Sequence, residues 1–158
     1  MYHRIMVPVD GSATSARGLD EAIELARLTG ASLCLVHVIE TIEFVTGFEP
    51  AGVHFNDVLP VMKRAAEKIL EEAKARAATA GVTADTCTIQ SLGPRVSELA
   101  IEQAKACKAD LIVIGTHGRR GVGRLMLGSD AEQIARLAPV PVLLVRALEA
   151  AGKGATPA

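Results

Sequence analysis

The chain of 158 residues has no tryptophan, one tyrosine and three phenylalanines. Without aromatic bulk, its core must be made mostly of Leu, Ile, Val and Ala. Cysteine is also scarce. Cys34, Cys87 and Cys107 are odd in number and lack metal-ligand spacing, which fits a reducing cytoplasm, with each thiol expected as a small core residue. Neither sign of charge dominates: the formal net charge is −1, which argues against a broad nucleic-acid surface. No apolar run approaches the length of a membrane span. Met1-Tyr2-His3-Arg4 leads straight into a strand of ordinary length, so no signal peptide is expected. The length suits one domain, expected over residues 1–148, with a frayed Ala-, Gly-, Thr- and Pro-containing tail over 149–158.

What the chain has is alternation of strand and helix. Ile5–Val9 is apolar throughout and reads as a strand buried on both faces, with Pro8 limiting its pairing at that end. Asp10-Gly11-Ser12 is a turn, and Ser12 or Ser15 is positioned to cap a helix running to about Thr29. Leu19, Ala22, Ile23, Ala26 and Leu28 supply its apolar side, and Gly30 stops it. Ser32–Ile39 is a second buried strand. From Glu40 to Asn56 no period holds, and this stretch carries all three phenylalanines. It is longer than most connections, so it reads either as a lid or partner surface or as a loop that its phenylalanines pack onto the body. A long helix follows over Asp57–Ala80, with a mixed-charge solvated face. Val82–Gln90 alternates like a half-covered edge strand. Arg95–Cys107 is helical, Leu111–Gly115 is a strand, Ser129–Leu137 is helical, and Val140–Val145 is the last strand.

Five alternations of strand with helix predict an α/β fold: a single open, doubly wound five-stranded parallel sheet with helices on both faces. Right-handed crossovers with one reversal of winding give the strand order 3-2-1-4-5. In such sheets ligands bind beyond the carboxyl ends of the strands where neighbouring connections diverge, here between strands 1 and 4. Those ends are Pro8-Val9-Asp10 and Ile114-Gly115-Thr116.

The second of these ends opens into Gly115–Ser129, GTHGRRGVGRLMLGS. A glycine-rich loop between a buried strand and a helix start can turn main-chain N–H groups inward together, and the helix adds the positive end of its dipole. Phosphate is the expected guest; the alternative is a surface loop that binds nothing. The window from Gly123 to Ser129 lacks the lysine of a Walker A loop, and the glycines are too late and too widely spaced for a dinucleotide fingerprint.

The spacing Gly115, two residues, Gly118, nine residues, Gly128-Ser129 resembles the nucleotide-binding pattern of the universal stress protein family, in its ATP-binding branch. Three further segments agree in order: Pro8-Val9-Asp10, His37-Val38-Ile39, and Ala138 to Val145. The likeness spans roughly residues 2–147. It implies a cytoplasmic, dimeric ATP-binding stress-response protein acting as a nucleotide-dependent sensor or regulator. Asp10, after Pro8, would approach the ribose hydroxyls or adenine, Val9 would line the base pocket, and Val38 would meet adenine through main-chain groups. Gly115, Gly118, Gly128 and Ser129 would hold ribose and phosphates beside Thr116, with His117 and Arg119 placed to reach phosphate. Asp130 departs from the pattern. It would repel phosphate unless Mg²⁺ bridges them, and its other reading is a first-turn acid pointing away. ATP, with Mg²⁺, is the implied ligand.

No nucleophile–base–orienter set stands out, since His3, His37, His54 and His117 lie on different segments. A binding module is therefore expected, with at most slow ATP hydrolysis or self-phosphorylation. An enzyme attacking the α-phosphate of ATP would need a further domain or motif. The other reading is a nucleotide-independent homodimeric interaction protein. In either case the resemblance implies a homodimer through Val142, Leu143, Leu144 and Val145, and an unidentified regulatory protein partner; no nucleic acid and no membrane are expected.

Overall fold

The structure, a computed structural model, describes residues 1–41, 55–116 and 127–146. The tail over 149–158 and most of the 40–56 stretch lie outside them. The apolar runs form strands β1 (Arg4–Pro8), β2 (Ser32–Glu40), β3 (Ala84–Ser91), β4 (Leu111–Gly115) and β5 (Val142–Val145). Between them lie helices α1 (Ala13–Thr29), α2 (Phe55–Thr79), α3 (Val96–Ala106) and α4 (Ser129–Leu137). The strands are all parallel in the order β3-β2-β1-β4-β5, as the alternation predicts.

Two cores flank the sheet. Ile5, Val7, Val9, Leu33, Leu35 and Val113 point toward α1 and α2, where they meet Leu19, Ala22, Ile23, Leu70 and Ala73. Met6, Cys34, Val36, Ile112 and Ile114 point the other way, onto Ala100 and Ala104 of α3 and Ala131 and Ile134 of α4. Consecutive residues of one strand thus serve opposite faces, and the central strands β1, β2 and β4 are largely buried on both.

Local chemistry sets the element ends. Ser12 caps α1, its Oγ accepting the Ser15 N–H at 3.1 Å, and Gly30 closes that helix at φ 74°, a left-handed conformation that favours glycine. Leu28 does not join the apolar side of α1 as expected. It is 80% exposed, because it lies two residues past Ala26 on the opposite side of the last turn. The second long helix begins at Phe55, earlier than the expected Asp57, and accommodates Pro60. The last strand is shorter than expected, starting at Val142 after Pro141. The Pro141 carbonyl still accepts the Ile112 N–H at 3.0 Å, but the proline has no N–H for the ladder.

Pro8 acts on one side only. The Val9 N–H donates to the Val36 carbonyl at 2.8 Å, so main-chain groups at Val9 face β2 and those at Pro8 face β4. The ladder to β2 accordingly runs on to the Pro8–Val36 pair. The ladder to β4 covers Ile5–Leu111 and Met6–Ile112 and goes no further. The missing proline donor therefore lies where the two central strands part.

Candidate functional site

The carboxyl ends of β1, β2 and β4 converge where the winding reverses. After β1, the turn is tightly built. Asp10 Oδ1 accepts the Ser12 N–H at 2.8 Å, and the Asp10 N–H donates to Ser15 Oγ at 3.1 Å. Gly11 turns at φ 80°, and a Cβ there would stand 3.2 Å from the Ile69 side chain of α2. These contacts hold the Asp10 carboxylate in a fixed place at the rim. Val9 contributes little surface: its side chain is 5% exposed and belongs to the α1/α2 core.

On β2, residues alternate in the direction of their main-chain groups. Ser32 donates to His3 on β1, Leu33 donates to Thr83 on the β3 side, and Val36 accepts from Val9 on β1. Val38, two residues beyond Val36, therefore turns its N–H and C=O toward the β1 side, past the end of β1. Its main chain faces the crevice. His37 is almost fully buried, and its Nδ1–H donates to the Val9 carbonyl at 2.7 Å, tying the ends of β1 and β2 together.

On the other side of the crevice, Thr116 is the fulcrum. Its N–H donates to the Val145 carbonyl at 2.9 Å, and its carbonyl accepts the Gly128 N–H at 2.8 Å. The second bond closes the base of the glycine-rich loop, so that the end of β4 and the start of α4 sit side by side. His117, Gly118 and Arg119 lie outside the described residues. Gly128 is the N-cap of α4, with φ −60° and no side chain to cap the helix, and Ser129 follows as an exposed first residue. The first turn of α4 thus offers main-chain N–H groups and a dipole end at this rim.

Asp130 turns elsewhere. Its Oδ1 accepts the Ser97 N–H at 3.2 Å in the first turn of α3, whose own N-cap, Arg95, makes no side-chain cap bond. The carboxylate joins the starts of two helices, a placement that matches the first-turn acid pointing away. A cross-helix bond of this kind leaves no trace in residue spacing. The contribution of Ser97 is equally invisible to motif reading, whereas Thr116 is named by the motif and the structure adds its two main-chain bonds.

Chemically, the crevice combines a fixed carboxylate at Asp10, outward main-chain groups at Val38 and a helix start at Gly128-Ser129. That set matches a ligand with hydroxyls, a planar polar ring and an anionic group. Among the described residues, no group of three or more His, Cys, Asp or Glu side chains converges to hold a metal ion. Also among the described residues, no helix is long and apolar enough to cross a membrane.

Comparison with known proteins identifies the family and agrees with the fold. The Universal stress protein family matches residues 1–146. Universal stress protein YxiE of Bacillus subtilis is 37% identical over 151 residues, covering 92% of this chain and all of the relative. Among solved structures, a universal stress protein family member from Burkholderia pseudomallei is 30% identical with a TM-score of 0.76, covering 92% of this chain and 97% of the other. A universal stress protein solved in complex with cAMP is 27% identical with a TM-score of 0.68, covering 91% and 97%.

Proposed function

The chain belongs to the universal stress protein family, and from that footing we propose that it is an ATP-binding regulator, a binding module rather than an enzyme. The observation that carries this reading is the Gly128 N–H to Thr116 carbonyl bond of 2.8 Å. It puts an α-helix start beside the end of β4, at the point where β1 and β4 diverge. In this reading the nucleotide phosphates meet Gly128 and Ser129, the ribose hydroxyls meet Asp10, and adenine meets the main chain of Val38. Mg²⁺ arrives on the nucleotide's own phosphates, since Asp10 and Asp130 are each engaged by a backbone N–H. The solved relative in complex with cAMP supports an adenine nucleotide as the ligand class. The protein works as a homodimer joined through β5, and occupancy by nucleotide changes what it presents to a protein partner.

The test is titration calorimetry with ATP and Mg²⁺, with AMP and cAMP run beside it, on the native chain and on Gly128→Arg. Gly128 has a φ of −60°, which arginine adopts without strain, so the variant fills the helix start while the fold stands. Binding of ATP that is lost in the variant supports the proposal. Equal binding by both proteins removes the phosphates from α4. An absence of heat with every nucleotide, with the dimer intact, points to the nucleotide-independent interaction protein.

A further inference from the structure

The three thiols, far apart in sequence, meet beneath α3. Cys34 on β2 is sealed in the second core, and Cys87 on β3 and Cys107 at the C-cap of α3 pack against the same cluster. Val36 is the register partner of Cys87, so the Cys34 and Cys87 side chains leave neighbouring strands on the same face. Cys87 is displaced from Cys34 by two residues along the ladder, roughly 8 Å between Cα atoms at ordinary strand spacings, which is too far for a disulfide. Cys107 instead packs onto the cluster from the end of α3, where its Sγ–H reaches the Ala104 carbonyl at 3.7 Å. Arg4 lies over the same end of the strands, held by Ser32 Oγ at 3.1 Å and Asp85 Oδ2 at 2.7 Å, and its charge acts on both Cys34 and Cys107. This end of the sheet is opposite to the crevice, so the cluster is separate from the nucleotide site.

We propose that Cys34 and Cys107 are a thiol oxidation site, which a peroxide converts into an intramolecular disulfide joining β2 to the C-terminal end of α3. Cys107, half-buried like Cys87, is the member of the pair that an oxidant can reach, since Cys34 is buried. Its sulfur attacks one peroxide oxygen. An S–O bond forms, the O–O bond breaks, and the departing hydroxide takes the thiol proton to leave as water. The Cys34 sulfur then attacks the Cys107 sulfenic acid sulfur. The S–S bond forms, the S–O bond breaks, and hydroxide leaves with the Cys34 proton as a second water. The two sulfurs together supply the two electrons that reduce the peroxide.

The order of events follows from the surroundings. Burial, then contact with Cys107, pushes the Cys34 thiol up to about 12, against a weaker opposing pull from Arg4. Cys34 is thus inert toward solvent oxidants and acts only on a sulfenic acid formed against it. Burial, then the neighbouring Cys107, likewise raises Cys87, which remains a bystander because its place on the ladder cannot reach Cys34.

The test treats the full chain with stoichiometric hydrogen peroxide, alkylates the remaining thiols and maps the digest without reduction. The expected product has lost two hydrogens, joins the Cys34 and Cys107 peptides, leaves Cys87 alkylated and reverts with dithiothreitol. Cys87→Ser forms the same bridge, and Cys107→Ser, with unchanged circular dichroism, does not lose the two hydrogens. Cys107 taken to sulfinic or sulfonic acid without a bridge overturns the proposal. So does a bridge through Cys87, a bridge between two copies, or three thiols left unchanged.

Discussion

Gly115, the last residue of β4, lies directly under Thr14 in the first turn of α1. A Cβ on Gly115 would stand 2.8 Å from the Thr14 carbonyl oxygen and 2.9 Å from its Cγ2. The oxygen belongs to helix backbone and cannot rotate away, so an alanine there must push α1 off the sheet. Gly18, one turn on, is less tight, with its Cβ position 3.2 Å from the Gly115 nitrogen. We expect Gly115→Ala to cost ~1–3 kcal/mol by overpacking. Gly18→Ala should cost less, because alanine's helix preference of ~1 kcal/mol offsets part of the crowding. Urea unfolding midpoints at unchanged slope measure both, and equal stability of native and Gly115→Ala protein would refute the packing account.

The bond from the Ser97 N–H to Asp130 gives a second prediction. Asp130→Ala removes the acceptor from the start of α3 and should lower stability by ~0.5–2 kcal/mol, as loss of a helix cap does. Asp130→Asn, whose amide oxygen can take over the bond, should keep most of it. Asparagine should also leave ATP affinity in Mg²⁺ unchanged, because the carboxylate is turned to α3. Thermal unfolding and calorimetry on both variants check this. Loss of Mg²⁺-dependent affinity in Asp130→Asn, with its melting temperature kept, would assign the carboxylate to the metal instead.

The contrast between Gly115 and Asp130 marks what the sequence discloses. The buried runs, the alternation at β3 and the glycine punctuation are local patterns with known periods, so the sheet, its order and the place of the crevice were legible. The motif marks Gly115 as a phosphate-loop glycine; its contact with Thr14 joins segments about a hundred residues apart, and no period encodes that. Spacing alone places Leu28 on the apolar side wrongly, because the end of a helix offers too few turns to fix its face. Pro8 predicts an end to the pairing of β1, and it ends it on the β4 side alone. Which side a main-chain group faces depends on the register with both neighbours.

At the amino end of the sheet, Asp110 gives a pH dependence. Its carboxylate accepts the N–H groups of His3 at 2.8 Å and Arg4 at 3.0 Å, and the His3 ring Nδ1 lies 3.2 Å away. Partial burial pushes its titration up, but the Arg4 and His3 N–H bonds and the His3 ring outweigh that and hold the group below its ordinary 3.8. With the folded value depressed, the unfolded chain binds the proton first as pH falls. The contribution is therefore complete above 3.8 and is lost as pH drops through the folded value. Asp110→Asn should destabilise the protein at neutral pH and flatten the acid limb of its stability curve. Denaturant titrations of both proteins from neutral pH down past 3.8 measure the difference, which should shrink toward acid. A difference constant with pH would remove Asp110 from the acid limb.

The open edge at β5 makes the dimer testable at one residue. Pro141 and Val145 turn their main-chain groups to β4, accepting from Ile112 and Thr116, so by alternation Leu144 turns its N–H and C=O outward. Leu143 and Leu144 are each 37% exposed, which leaves apolar side chains beside a backbone edge that no other described strand pairs. An antiparallel pairing of two such edges satisfies the backbone and covers the leucines, and a two-fold axis makes both halves identical. Lysine at 144 keeps the bonds to β4 but places a charge in the seam, a device by which natural edge strands stay single. Light scattering should therefore give a dimer mass for the native chain at micromolar concentration and a monomer mass for Leu144→Lys. The native melting temperature should also fall on dilution, while that of the variant should not move. A native monomer at micromolar concentration would end the β5 dimer, and a dimeric Leu144→Lys protein would move the interface to another face.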